Sequence, residues 1–438
     1  MSQALHNISE PQAGQDNKQR ESNTQKFSFR LSSTGEVEQV SKTRMAMEAP
    51  LSKITKLPIW DLAFRPWFVL ATALSVVSLS IWILFLHGNI SPFSAEGISP
   101  LIWHIHEMLF GFGATIAVGF LLTAAQTWTK IRSLNGPGLL LLTGIWLAVR
   151  VLLLSNSVNL QLLAVALQAL WWLVSIGYLT YMVTRANSRR NYQFIPLLSA
   201  MMLLNLTLLL ADIFGDTELA LHLSRSAILM FGLLVGIVGG RVIPFFTERG
   251  ADGAKVKPTP LVDKLLPIVT LLGVSVFFSG HFISLPFTPA ALLITAGVLH
   301  LLRLYCWDPI STRKVPLLWS LHASYLALGL GLLLLGASYL TDAIRFADAL
   351  HLITIGTIGG MILAMIARVS LGHTGRALKP HGSLNIAFAL ILFGALARFI
   401  LPLFQQTSLG WDIAAASWII AFSLFLWHYT PILFSARH

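Results

Sequence analysis

Three short stretches of this sequence place imidazoles beside charged side chains inside otherwise apolar runs. Trp103-His104-Ile105-His106-Glu107-Met108 opens one run, His222 and Arg225 open a second, and Asp348 and His351 open a third. Ionisable groups within apolar runs of membrane-spanning length are costly, so each marks a functional site by default. Neutral imidazole suits haem iron, copper or zinc. Cys306 is the only cysteine, which excludes a disulfide framework, a CxxCH covalent haem and any cysteine metal cage. The expected cofactor and metal ligands are therefore His104, His106, His222 and His351.

Spacing limits how they can act. His104 and His106 are two residues apart, about 200° around a helix, so both cannot ligate one ion. One coordinates and the other hydrogen-bonds at the helix mouth. Glu107, three after His104, can reach its face, and Asp348, three before His351, can hold its ring N–H. His322 and His373, the latter in Ser370-Leu371-Gly372-His373-Thr374-Gly375-Arg376, are second-rank candidates for another cofactor or a proton path. Arg241 and Arg368 stand at helix ends and are expected to snorkel to the interface. His87, His281, His300, His381 and His428 receive no role. No nucleophilic triad, phosphate-cradling loop or HExxH motif occurs, and Gly239-Gly240 follows an apolar helix rather than a strand, so no catalytic residue is assigned.

The elements that must position these histidines are membrane spans. Of 438 residues, 55% are hydrophobic and 11% charged, where a soluble domain has about 25% charged. A helix needs about 17–25 apolar residues to cross about 30 Å of hydrocarbon. Such runs lie at 67–86, 104–124, 138–154, 159–183, 194–212, 219–240, 265–283, 287–305, 316–339, 347–368, 385–402 and 411–434. The fold class is thus an all-α integral membrane protein with about 12 transmembrane helices.

Loop charge orients them. The even-numbered connections carry Lys130 and Arg132; Arg185, Arg189 and Arg190; Arg241, Arg249, Lys255, Lys257 and Lys264; Arg303, Arg313 and Lys314; and Arg368, Arg376 and Lys379. The odd-numbered ones carry Arg345, with Arg150 and Arg398 near helix ends. Both termini are accordingly expected inside, and the formal net charge of +11 reads as topology, with no nucleic-acid partner. The histidines of helices two, six and ten then share a depth just inside the outer boundary. Their recurrence every fourth helix suggests three four-helix repeats, an arrangement that places sites between units. Residues 1–56, with eight Lys/Arg against six Asp/Glu and no apolar run, read as a disordered cytoplasmic tail without a secretory signal; residues 57–438 form the transmembrane domain.

Several motifs resemble the NnrS family. They are Phe64-Arg65-Pro66-Trp67-Phe68, the run from Trp103 through Phe112, Gly119-Phe120-Leu121-Leu122-Thr123-Ala124, Trp146-Leu147-Ala148-Val149-Arg150, Arg241-Val242-Ile243-Pro244-Phe245-Phe246-Thr247, Leu318-Trp319-Ser320-Leu321-His322, and His351 to Arg376. Two places depart from the family pattern: Ala125-Gln126-Thr127 where a Pro-Asn pair usually precedes Trp128, and Val149 where Gly is usual. The resemblance implies a haem b- and copper-containing protein of the bacterial inner membrane, acting in the response to nitric oxide or its adducts and often found with denitrification. A looser likeness, of architecture, is to the haem-copper oxidase and nitric oxide reductase subunit. By that analogy His106 and His351 would be the axial pair of a haem with His222 toward copper, although helix seven has no His-His pair.

Two other function classes compete. A secondary transporter with about twelve spans would favour broken helices and buried charge near the midplane, whereas Leu197–Leu210 and Leu326–Leu335 carry no ionisable residue. A sensor, or a protein that delivers haem or copper, would need the same ligands as one that turns nitric oxide over. A metal-cofactor protein of this kind would handle nitric oxide or its iron adducts by binding or by redox turnover.

Overall fold

The computed structural model describes residues 53–91 and 97–438. The expected tail over 1–56 falls, except for its last four residues, outside the described residues. Between 64 and 434 the chain forms twelve long helices in the expected order. They are α1 (Phe64–Leu86), α2 (Pro100–Thr129), α3 (Gly136–Leu153), α4 (Val158–Arg185), α5 (Phe194–Ile213), α6 (Thr217–Gly250), α7 (Pro260–Ser279), α8 (Ala290–Cys306), α9 (Pro316–Ala337), α10 (Phe346–His373), α11 (Gly382–Leu403) and α12 (Thr407–Phe434). Eleven are long and apolar enough to cross a membrane, and α8 is shorter, at 17 residues. The fold is all-helical, and the chain is a multi-pass membrane protein.

Local chemistry sets the helix starts. Proline occupies the first turn of α2, α3, α7 and α9, where its missing N–H costs nothing. Ser99 caps α2 by accepting from the Ile102 N–H, and Asp216 caps α6 by accepting from Leu219. Helix α6 runs past the expected boundary at Gly240-Arg241, carries Pro244 inside it and ends at Gly250. Its 34 residues span about 50 Å at 1.5 Å per residue, more than the hydrocarbon thickness. The short α8 is held by close approach to α9: a Cβ on Gly297 would lie 2.7 Å from the Gly329 carbonyl oxygen. Only small residues permit such a crossing.

The histidine helices stand at the centre. In α2, α6 and α10 the shares of the apolar segment buried inside the protein are 78%, 61% and 83%; α9 has 67% and the others 22–44%. Helices α2, α6 and α10 touch one another, and the rest pack around them in sequence order, with α12 closing against α1. The second helix of each successive group of four is therefore among the most buried, with α9 beside them. This is how a recurrence in sequence becomes a shared interior.

Candidate functional site

His104 and His351 line one cavity of about 430 Å³ near the start of α2, α6 and α10. The rest of its wall is mostly apolar, including Leu79, Met108, Ile228 and Ile355. His351 Nδ1 lies 2.6 Å from the Ala347 carbonyl oxygen. A carbonyl only accepts, so Nδ1 carries the proton and Nε2 keeps its lone pair. His104 Nδ1 is buried with no hydrogen-bond partner. Its ring is oriented by Trp82 of α1, stacked at 4.5 Å between centroids and 11° between planes.

Two arginines also line the cavity. Arg398 of α11 is tied to Asp348 at 2.5 Å, with Arg345 a further 3.7 Å neighbour of the same carboxylate. Arg225 of α6 lies over the Phe346 ring at 5.2 Å and has no ion-pair partner among the described residues. Burial pushes the phenol of Tyr339, in the loop before α10, up to about 12 against the opposing pull of Arg225. At neutral pH Tyr339 is uncharged and leaves the Arg225 charge unbalanced. The cavity thus combines two imidazoles, an apolar body and two cations, which suits a flat apolar ligand that carries a metal and anionic groups.

A feature absent from the sequence reading shapes both histidine helices. Glu107–Ala114 in α2 and Leu352–Gly359 in α10 are π-helical, eight residues each, and directly follow His106 and His351. Such segments add residues per turn, rotate the helix beyond them and recur at functional sites. Glu107 does not serve His104 as expected. It receives His106 Nδ1 at 3.0 Å and faces Arg150 of α3 at 3.3 Å, and Arg150 donates in turn to Gln168 of α4 at 2.7 Å. Asp348 does not hold the ring of His351 either. Arg398 claims that carboxylate, and the Ala347 carbonyl, one helical turn back, takes the ring N–H.

The other expected ligands lie elsewhere. His106 is fully buried in the Glu107 cluster with Nε2 unpartnered, on the side of α2 away from His104. His222 is not part of the cavity wall: its Nε2 donates to the Phe278 carbonyl at 3.0 Å, and its ring stacks on His281 at 4.5 Å. His322 is buried, bonded through Nδ1 to the Leu318 carbonyl and through Nε2 to Thr247. His373 packs on Phe64 at 5.7 Å between ring centroids. Arg241 binds Asn191 and the Arg190 carbonyl, and Arg368 lies 3.8 Å over Phe246. Among the described residues no group of three or more His, Cys, Asp or Glu converges as a metal cage.

Three contributors escaped the sequence reading. Trp82 has no place in the sequence analysis, and Arg398 stands there only as a cation near a helix end. His300 is fully buried on α8, with Nδ1 2.8 Å from the Tyr325 hydroxyl. Beside it, Arg303 joins Asp263, Tyr325 and the Gly236 carbonyl. The available signal was a histidine and an arginine three apart on an apolar helix, hence on one face.

Comparison with known proteins adds one finding. The family model described as NnrS protein matches residues 58–437, nearly the whole chain. No curated protein matches the chain.

Proposed function

Since the chain belongs to the NnrS family, we propose that it is a haem-binding protein of the bacterial inner membrane that acts in the response to nitric oxide, with links to denitrification. The observation that carries the reading is the cavity: His104 and His351, from two central helices, line the same mostly apolar space. The donors fit a b-type haem. His351 has Nε2 free because the Ala347 carbonyl holds Nδ1–H, and His104 has a buried nitrogen without a partner. His104 replaces His106 as the α2 ligand in this proposal.

The chain's own residues divide the work of binding. Trp82 fixes the plane of the His104 ring, and the Ala347 carbonyl fixes the tautomer of His351. Arg225 and Arg398, which line the cavity, offer positive charge to two carboxylates. Leu79, Met108, Ile228 and Ile355 exclude water from the body of the site. A bound haem would supply an iron able to take nitric oxide or an electron. An uncharged gas partitions into lipid and can reach such a site through the bilayer.

Copper belongs to the same proposal. His222 and His281 are the imidazoles that stand together at this end of the bundle; an ion there would need a further donor. The loop charges support an inside location for both termini.

The test is the absorbance spectrum and metal content of purified protein. Wild type should show a b-type haem band that falls below about a tenth in His104→Ala and in His351→Ala. His106→Ala should keep it. A folded, colourless and metal-free wild type would overturn the reading.

A further inference from the structure

A second cavity, of about 70 Å³, lies further along the same three central helices. Its wall includes Phe68 of α1, Ile116 and Phe120 of α2, Phe231 and Val235 of α6, and Met361 of α10. No charged, hydroxyl or amide side chain lines it. The backbone there is helical, so its N–H and C=O groups are spent within the helices. A water molecule needs two to four polar partners, and this wall offers none. The cavity is therefore dry, although it is partly open rather than sealed, with Ala117, Phe120, Val238 and Val242 half-buried.

An unfilled space leaves its lining without dispersion partners, yet flexible methionines at Met361 and Met365 do not close it. A dry apolar cavity of about 150 Å³ takes benzene or xenon, so one of about 70 Å³ suits a single xenon atom or a diatomic molecule rather than benzene. Its position is also specific. Ile228 and Ile358 line the histidine cavity while Phe231 and Met361, three residues on, line this one. At 1.5 Å per residue the two spaces are separated by about one helical turn, about 5 Å.

We infer that this cavity is a binding site for one small uncharged apolar molecule, of the size of a diatomic gas or a xenon atom. The site is distinct from the histidine cavity and does not depend on the haem reading. It recognises its ligand by size and by the absence of any polar group, and it holds that ligand about one helical turn beyond the wall of the histidine cavity.

Xenon is the probe. Full-length protein in lipid nanodiscs is titrated with dissolved xenon and followed by xenon magnetic resonance. Wild type should give a saturable shift, and Val235→Phe, which fills the space, should weaken xenon binding by about tenfold or more because no free volume remains. Ala117→Leu fills it more gently and decides the matter if Val235→Phe fails to fold. Leu203→Phe, on an exposed position, should bind xenon as wild type does. A structure determined under xenon pressure should place the atom against Phe231 and Met361. Absence of saturable binding, xenon located elsewhere, or undiminished binding in a folded filling variant would each overturn the inference. Xenon binding in a protein that proves haem-free would leave this site standing and remove only the haem reading.

Discussion

Helices α2 and α10 are assembled from the same parts and use them differently. Each carries a cavity histidine, each has a carboxylate three residues from it, and each turns π-helical soon afterwards. Each carboxylate meets an arginine from the next helix, Glu107 with Arg150 and Asp348 with Arg398. On α2 the pair is sealed among α2, α3 and α4, where Glu107 also takes His106 and Arg150 also holds Gln168. On α10 the pair borders the large cavity, since Arg398 lines it, and the half-exposed Arg345 adds a second cation. Position relative to the histidine decides the outcome. Glu107 follows His104 and opens the π segment, which turns it away from the cavity. Asp348 precedes His351 and stays on regular helix at the cavity end. One ion pair therefore locks helices together, and the other leaves a cation available to an occupant.

The largest effect should come from opening the sealed pair. Glu107→Ala strands Arg150 in a site where its side chain is 7% exposed, and removal of one partner of a buried pair costs about 3–5 kcal/mol. Thermal unfolding of the detergent-solubilised protein should show it, with Glu107→Gln milder because the amide oxygen can still take the His106 ring N–H. Asp348→Asn should cost less, about 1–3 kcal/mol, because Arg398 can turn its charge toward the cavity. Equal losses for the two carboxylates would break the distinction between lock and lining.

Much of this architecture was legible in the sequence, and the limits have physical causes. Span positions follow from the length of apolar runs, and orientation follows from loop cations; both are properties of composition along the chain. The centrality of α2, α6 and α10 was foreshadowed by their histidines, since a polar ring is excluded from lipid. Which histidine faces the cavity was not legible. His104 and His106 differ by about 200°, and only the packing of Trp82 against one and Glu107 against the other selects between them. The π segments left no mark, because a run such as Leu352-Ile353-Thr354-Ile355-Gly356 is apolar in either helical geometry. His222 shares the depth of the other two but looks toward α7, so equal depth did not mean a shared site.

His106→Asn sharpens the comparison from the other side. It removes the ring that Glu107 holds at 3.0 Å while leaving the carboxylate–arginine pair intact. A loss of about 1.5–3 kcal/mol is expected, the worth of one hydrogen bond to a charged group, with the proposed haem band unchanged. Loss of the band in a folded His106→Asn protein would move the α2 ligand back to His106.

The smallest effect should be at Trp82, where α1 meets the cavity. Its indole stacks on His104 at 4.5 Å and nearly parallel, whereas His106 meets Phe110 at 5.8 Å and tilted by 34°. An aromatic pair of the first kind contributes about 0.5–1.5 kcal/mol beyond its area. Trp82→Leu keeps apolar bulk at the wall and removes the surface that fixes the imidazole plane. Stability should therefore fall by no more than about 1.5 kcal/mol. The proposed haem should remain bound but leave faster, by up to about tenfold when followed by transfer to an excess of a haem-scavenging apoprotein. An unchanged rate would mean that α2 alone orients His104. Outright loss of the haem would mean that α1 is as much a part of the site as the two histidine helices.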